Sequence, residues 1–236
     1  MKNIIQNLAG ILGYSIIKKK NFYKIQRTLD NAIQSQILKD NPTIFDVGAH
    51  EGESITRFKK IFKKPKIHSF EPQIKSFAIL KKLQNDNIIV NNCALGSKED
   101  LKKFYINSND ATSSFVPIDT SSKHLKGIKT IDNEKINIKT LDDYVLKEKI
   151  NYIDLLKIDV QGYETEVLLG SLKSLSNKIH FIEVEICFVE YYQKISSFFN
   201  IENIINEYNF ELYSLSSPLS RKDGRIKTLD ALYIKK

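Results

Sequence analysis

Apolar residues recur at three- and four-residue steps through Ile25, Leu29, Ile33 and Leu38, so residues 1 to about 40 read as helices. Asn41-Pro42 stops that pattern, because the residue before a proline is pushed out of the α region. Thr43 to Val47 is a short apolar run ending at Gly48 and reads as a buried strand. Glu53 to Lys63 then has helical period, with Ile55, Phe58, Ile61 and Phe62 facing inward. Lys66 to Phe70 reads as a second strand. Gln73 to Gln84 reads as a helix that offers Ile74, Phe77, Ile79, Leu80 and Leu83 to a core, and Ile88 to Val90 as a third strand. This βαβαβ rhythm predicts a parallel sheet, and right-handed crossovers place its first three strands in the order 3-2-1.

The middle is less regular. Lys102 to Ile106 and Lys135 to Lys139 have strand character, and the polar stretch from Asn107 to Asn133 reads as a long loop. Thr140 is placed to cap a helix running to Lys147. The alternation then resumes: a strand from Tyr152 to Val160, a helix from Glu164 to Leu175, a strand from Ile179 to Ile186 and a helix from Ile201 to Tyr208. Phe210 to Leu215 and Leu229 to Ile234 form a last pair of strands, joined by a polar loop containing Asp223-Gly224.

Composition adds limits rather than identity. The chain has 236 residues, 42% hydrophobic and 27% charged, which suits one folded α/β domain with an addition at its start. A net charge of +8 raises the question of nucleic acid or an anionic surface, but lysines spread over solvated faces explain it equally well. Cys93 and Cys187 are too few and too far apart for a disulfide framework or a zinc site, and a cytoplasmic, reducing setting is expected. No apolar run reaches the ~18–20 residues of a membrane span. Ile4, Ile5, Leu8, Ile11, Leu12, Ile16 and Ile17 lie near helical spacing, followed by Lys18, Lys19 and Lys20. That stretch is read as a helix packed on the domain or on a second copy in a homodimer. A peripheral membrane contact is the alternative.

Two blocks carry candidate chemistry. Asp46-Val47-Gly48-Ala49-His50-Glu51-Gly52 joins the first strand to the first helix. Its glycines allow a sharp turn and close approach of backbone to a ligand, and helix N-terminal N–H groups there suit a carboxylate. It is not the G-x-G-x-x-G of dinucleotide enzymes, which disfavours a dehydrogenase. Glu71, in Phe70-Glu71-Pro72 at the end of the second strand, stands where a carboxylate accepts from both hydroxyls of a ribose. After the third strand, Asn92-Cys93-Ala94-Leu95-Gly96 offers small residues against which an adenine ring fits. In Leu155 to Glu164, Lys157 and Asp159 interrupt a buried strand on one face, a costly placement unless the charges are paired or used. The structural alternative is an ion pair of Lys157 with Asp159 or Glu164. Glu183 and Glu185 share one face of the following strand. His50, His68, His124 and His180 make no metal-ligand spacing.

In these blocks the chain resembles the FkbM family of methyltransferases from about Asn41 to its end, including Phe181 to Ile186, Tyr192 and Leu229-Asp230-Ala231-Leu232-Tyr233. The resemblance implies a Rossmann-like class I methyltransferase fold, a mostly parallel seven-stranded sheet in the order 3-2-1-4-5-7-6, preceded by a helical extension over residues 1–40. It also implies S-adenosylmethionine as cofactor and O-methylation of a sugar, a glycan or a natural-product hydroxyl. Asp46, Gly48, Ala49, His50, Gly52, Glu71, Pro72, Asn92, Cys93, Ala94, Ser113 and Asp159 are the expected cofactor contacts. The segment Asp110-Ala111-Thr112-Ser113-Ser114 is expected to close over the cofactor. Relatives commonly have Asn where this chain has His50, so His50 is expected at the cofactor or substrate from its place in the turn.

Transfer to a hydroxyl needs alignment and a base within hydrogen-bond reach. Asp159 is the first candidate for that base, with Glu185 and His50 as reserves. Magnesium on Asp159, Glu183 and Glu185 is a weaker alternative, and no metal site is expected. Nucleic acid is disfavoured as acceptor, because no Asn-Pro-Pro-Tyr type segment and no aromatic basic stripe appears. The non-enzymatic rival is a cofactor-fold scaffold in glycan assembly.

Overall fold

A computed structural model describes residues 28–122, 127–193 and 195–236. The amphipathic stretch over the first residues, the Lys18–Lys20 run and His124 lie outside them. Helix α1 (Thr28–Gln36) leads into strand β1 (Thr43–Val47), helix α2 (Glu53–Ile61), strand β2 (Lys66–Phe70), helix α3 (Ile74–Leu80) and strand β3 (Ile88–Asn91). A small sheet follows, made of β4 (Ala94–Leu95), β5 (Asp100–Asn107) and β6 (Thr130–Lys139). The second half runs α4 (Leu141–Lys147), β7 (Ile153–Ile158), α5 (Glu164–Leu169), α6 (Leu172–Asn177), β8 (Ile179–Cys187), α7 (Phe198–Glu207), β9 (Phe210–Leu215), β10 (Leu219–Ser220) and β11 (Ile226–Lys235).

The main sheet runs β3-β2-β1-β7-β8-β11, parallel up to β8, with β11 antiparallel and both β9 and β10 paired along β11. This is the expected order, with the short β10 as an eighth strand. Successive side chains of each strand face opposite ways. Ile44 therefore packs with Ile55, Phe58, Ile67 and Leu155 under α1 to α3, while Phe45 packs with Leu141, Val167, Leu168 and Ile201 under the later helices. α1 docks Leu29 and Ile33 into the first of these layers.

Several expected boundaries are corrected. The first helix ends at Gln36, and Leu38, expected to face a core, is 87% exposed. The helix expected from Gln73 to Gln84 ends at Leu80 and tightens into a 3₁₀ turn, Lys81–Leu83. The helix expected from Glu164 to Leu175 is two helices. At the break, a Cβ on Gly170 would lie 1.9 Å from the carbonyl oxygen of Gly96, so backbone crosses backbone there. The long loop is also shorter than expected, because β6 begins at Thr130 and pairs antiparallel with β5.

Candidate cofactor cavity

Parallel strands end together, and the turns that follow β1, β2 and β7 border a cavity of about 330 Å³. Asp46, Lys157 and Glu183 stand in register across β1, β7 and β8, on the α1–α3 side. All three are buried. Lys157 Nζ lies 3.3 Å from Asp159 Oδ2 and 3.8 Å from Asp46 Oδ1. Glu183 receives Arg57 Nη1 at 2.5 Å, and Arg57 Nε also holds Asp30 of α1 at 2.6 Å. Glu183 is thus engaged by Arg57 of α2, 126 residues away in sequence, a pairing that strand alternation alone does not reveal.

Gly48 has φ +84, and a Cβ there would sit 1.9 Å from the carbonyl oxygen of Asp159. The glycine lets the β1 turn pass against the end of β7. The N–H groups of Gly48 and Ala49 both donate to Phe70 O, and that of Gly52 donates to Ala49 O. These three donors are engaged inside the protein, while Glu53 and Ser54 at the start of α2 border the cavity.

Glu71 is 6% exposed and lines the cavity. Its Oε2 accepts from the His50 N–H and its Oε1 from the Gln73 N–H, both at 2.8 Å. Burial pushes its carboxyl up to about 7, against the pull of those two donors. Burial likewise lifts Asp46 to about 6 although Lys157 opposes it. Burial works against ionisation of Asp159 too, but the Lys157 ammonium and the Gln161 amide outweigh it and hold that carboxyl below the usual range. Glu185 is the reverse case: burial and the neighbouring Asp159 charge push it up to about 8.

Gly48, Ala49, His50, Glu71, Pro72, Ala94, Ser113 and Asp159 line the cavity, as do Asp110 and Ala111 of the segment expected to close over it. Five of the residues expected at the site fall outside that lining. Asp46 lies beneath it in the charged row. A Cβ on Gly52 would meet Leu83 Cδ1 at 2.5 Å, so its glycine serves packing. The Asn92 amide donates to the carbonyls of Glu71 and Pro72. Cys93 belongs to the main core. Glu185 stands behind Gln161, whose Nε2 donates to it at 3.1 Å. His50 Nδ1 is 3.3 Å from Glu53 and its Nε2 is 3.6 Å from Asp110, so it faces the closing segment rather than Asp159.

Gln161, Phe104, Phe115 and Tyr163 line the cavity without having been singled out. Gln161-Gly162-Tyr163 does follow Asp159 directly, and a polar residue beside a glycine at a strand end is the signal that marks the turn. Among the described residues, one group of potential metal ligands converges within 4.8 Å, His50, Glu51 and Asp110. Asp110 is also paired with Lys75 at 2.9 Å.

The donor set suits S-adenosylmethionine. Glu71 is a buried carboxylate whose oxygens each keep acceptor capacity for a ribose hydroxyl. Phe70, Leu95, Phe104 and Phe115 give the cavity an apolar side for a flat base, and the ionised Asp159 suits a cationic group. A second cavity, of about 570 Å³, shares Phe115 and Tyr163 with the first.

Comparison with known proteins agrees with this chemistry. The 2-O-methyltransferase NoeI of Sinorhizobium fredii (strain NBRC 101917 / NGR234) is 25% identical over 170 residues, 68% of this chain and 70% of its own. Methyltransferase 1 of Beauveria bassiana (strain ARSEF 2860) is 24% identical over 201 residues, 78% of each chain. An rRNA methylase structure from Streptococcus thermophilus superposes with a TM-score of 0.48 at 13% identity, covering 94% of this chain and 99% of that one, too loose a likeness to bear on the argument. The methyltransferase FkbM domain matches residues 46–212, most of the chain, and the protein belongs to that family of S-adenosylmethionine-dependent methyltransferases.

Proposed function

We propose that the protein methylates a hydroxyl oxygen of a sugar, a glycan or a small natural product, with Asp159 as the base. The observation that carries this reading is the Asp159 carboxyl group at the cavity wall, 3.3 Å from the Lys157 ammonium. A third of the Asp159 side chain is open, and Lys157 keeps it charged. S-adenosylmethionine supplies an electrophilic methyl group on a sulfonium when bound. Glu71 holds the ribose hydroxyls, and the apolar side of the cavity takes the base. Asp159 accepts a hydrogen bond from the acceptor hydroxyl, orients its oxygen and takes its proton as that oxygen becomes acidic. A carboxyl held below its usual range serves here, because the hydroxyl proton is released only as the oxygen forms its new bond.

The name of the first relative supports an oxygen acceptor. The second cavity supports a polar acceptor such as a sugar: Gln193 and Asn200, with Lys102 and Glu166, offer hydrogen-bonding groups beside the Tyr163 and Phe115 rings. Burial lifts the Tyr163 hydroxyl to about 12, so it stays a neutral donor. Cys93 and Cys187 are unpaired, which fits a cytoplasmic setting. No helix among the described residues is long and apolar enough to cross a membrane.

The test is transfer of a labelled methyl group from S-adenosylmethionine to a panel of monosaccharides, oligosaccharides and phenolic natural products, with RNA and DNA alongside. Transfer to a sugar or natural product that Asp159→Asn abolishes, with its S-adenosylhomocysteine affinity intact, supports the reading. Full transfer by Asp159→Asn removes the base. Transfer to nucleic acid alone removes the acceptor class.

A further inference from the structure

We propose that Gln161 is a positioning residue whose side-chain amide, facing Tyr192, bridges Asp159 and Glu185 and holds the Asp159 carboxylate in place at the cavity wall. The inference rests on Asp159 being the base. The geometry is specific. Gln161 Nε2 donates to Asp159 Oδ1 at 2.9 Å and to Glu185 Oε2 at 3.1 Å. An amide nitrogen carries two hydrogens, so it serves both carboxyl groups at once. Its Oε1 faces the Tyr192 hydroxyl at 3.0 Å. In this orientation the amide nitrogen serves the two carboxyl groups and the amide oxygen faces the hydroxyl.

The backbone is built around that placement. Gln161 has φ +57, in the left-handed region that residues with a side chain rarely occupy. Three contacts hold it there. The Glu164 carboxylate accepts from the N–H groups of Gly162 (2.9 Å) and Val160 (3.3 Å) on either side. The Ser114 hydroxyl donates to Gln161 O at 2.7 Å. Tyr192, 2% exposed, also reaches Thr112 O at 2.9 Å. The turn carrying the amide is therefore tied to the Asp110–Ser114 segment at the cavity wall.

Charge explains why a clamp is needed. Two carboxyl groups in one buried site cannot both ionise freely. Lys157 from β7, Glu164 from α5, Asp230 from β11 and Asp46 from β1 act on the pair. So do Cys187 of β8 and Tyr191 and Tyr192 beyond it. Lys157 favours the anion on Asp159, and the acids around Glu185 favour the proton there. The amide keeps the two groups apart and in place, so that Asp159 is the one free to accept.

The test is a titration of the full chain carrying ¹³C-labelled Asp and Glu carboxyl groups, followed by NMR. Asp159→Asn and Glu185→Gln identify the two signals. Gln161→Met keeps the bulk and removes the donor. A hydrogen bond to a charged group corresponds to roughly one to two pH units, so the Asp159 midpoint should rise by about one unit or more. Glu71 should titrate as in the unaltered protein, which reports an intact fold. Tyr192→Phe should raise the Asp159 midpoint by less, and it keeps the test open should Gln161→Met fail to fold. Midpoints unchanged in the folded variants overturn the clamp. The readout needs no acceptor, so loss of the base through a fully active Asp159→Asn is a separate result.

Discussion

Replacing Lys157 by methionine tests the buried charge row directly. The ammonium lies 3.8 Å from Asp46, 3.3 Å from Asp159 and in register with Glu183. Arg57 answers Glu183, but no other cation is within ion-pair range of Asp46 among the described residues. Breaking a buried pair by removing one partner costs about 3–5 kcal/mol, because the remaining charge has no compensation. Here the loss depends on pH. Asp46 and Asp230 already stand raised to about 6 and Glu185 to about 8, and without the ammonium all three rise further. A folded-state value raised above the unfolded one contributes stability that is present below the unfolded pKa and lost as pH rises through the folded one. Lys157→Met should therefore lose least near pH 5, where Asp46, Asp230 and Glu185 are protonated and Asp159 is the acid left without its counter-ion, and most above about pH 8, with a slope on the order of 1.4 kcal/mol per pH unit for each proton involved. Urea unfolding at several pH values measures this. An equal loss at all pH values, or a loss below about 1 kcal/mol throughout, would refute the charge row as described.

Four further outcomes follow from the same geometry. Gly48→Ala would bring a Cβ to 1.9 Å from the Asp159 carbonyl, so it should lower the unfolding midpoint sharply or yield insoluble protein; near-normal stability by thermal melting would count against that close approach. Arg57→Met alone strands Glu183 and should cost about 3–5 kcal/mol, whereas Arg57→Met with Glu183→Leu should recover most of it in denaturant unfolding. Affinity for S-adenosylhomocysteine should weaken about tenfold per pH unit below about 7, as Glu71 takes up a proton and can no longer accept from both hydroxyls, and calorimetry showing a flat profile would remove the ribose role. His50→Asn should leave that affinity within about threefold, because the His50 contribution to Glu71 is its backbone N–H; a loss beyond about tenfold would give the imidazole a larger part.

The main sheet was readable because its strands are short apolar runs that end at glycine turns, and because parallel crossovers have one hand. The end of each run could be placed to within a few residues from Asn41-Pro42, Gly48 and Glu71-Pro72. Breaks that depend on distant partners were not readable: Gly170 ends α5 because it crosses Gly96, a neighbour only once the small sheet has formed. The same holds at the site. Gly48, Glu71 and Asp159 stand out by residue type and spacing. The engagement of Glu183 by Arg57, of Asn92 by two carbonyls and of Glu185 by Gln161 is set by tertiary contacts that strand alternation does not encode.

Calorimetric titration of the protein with S-adenosylhomocysteine, with NAD as control, tests the central claim most directly. The account predicts a Kd on the order of micromolar, weakened at least about tenfold in Glu71→Ala, and no binding of NAD. Well-folded protein that binds no S-adenosylhomocysteine, or binds it equally well without the Glu71 carboxylate, would contradict the cofactor site described.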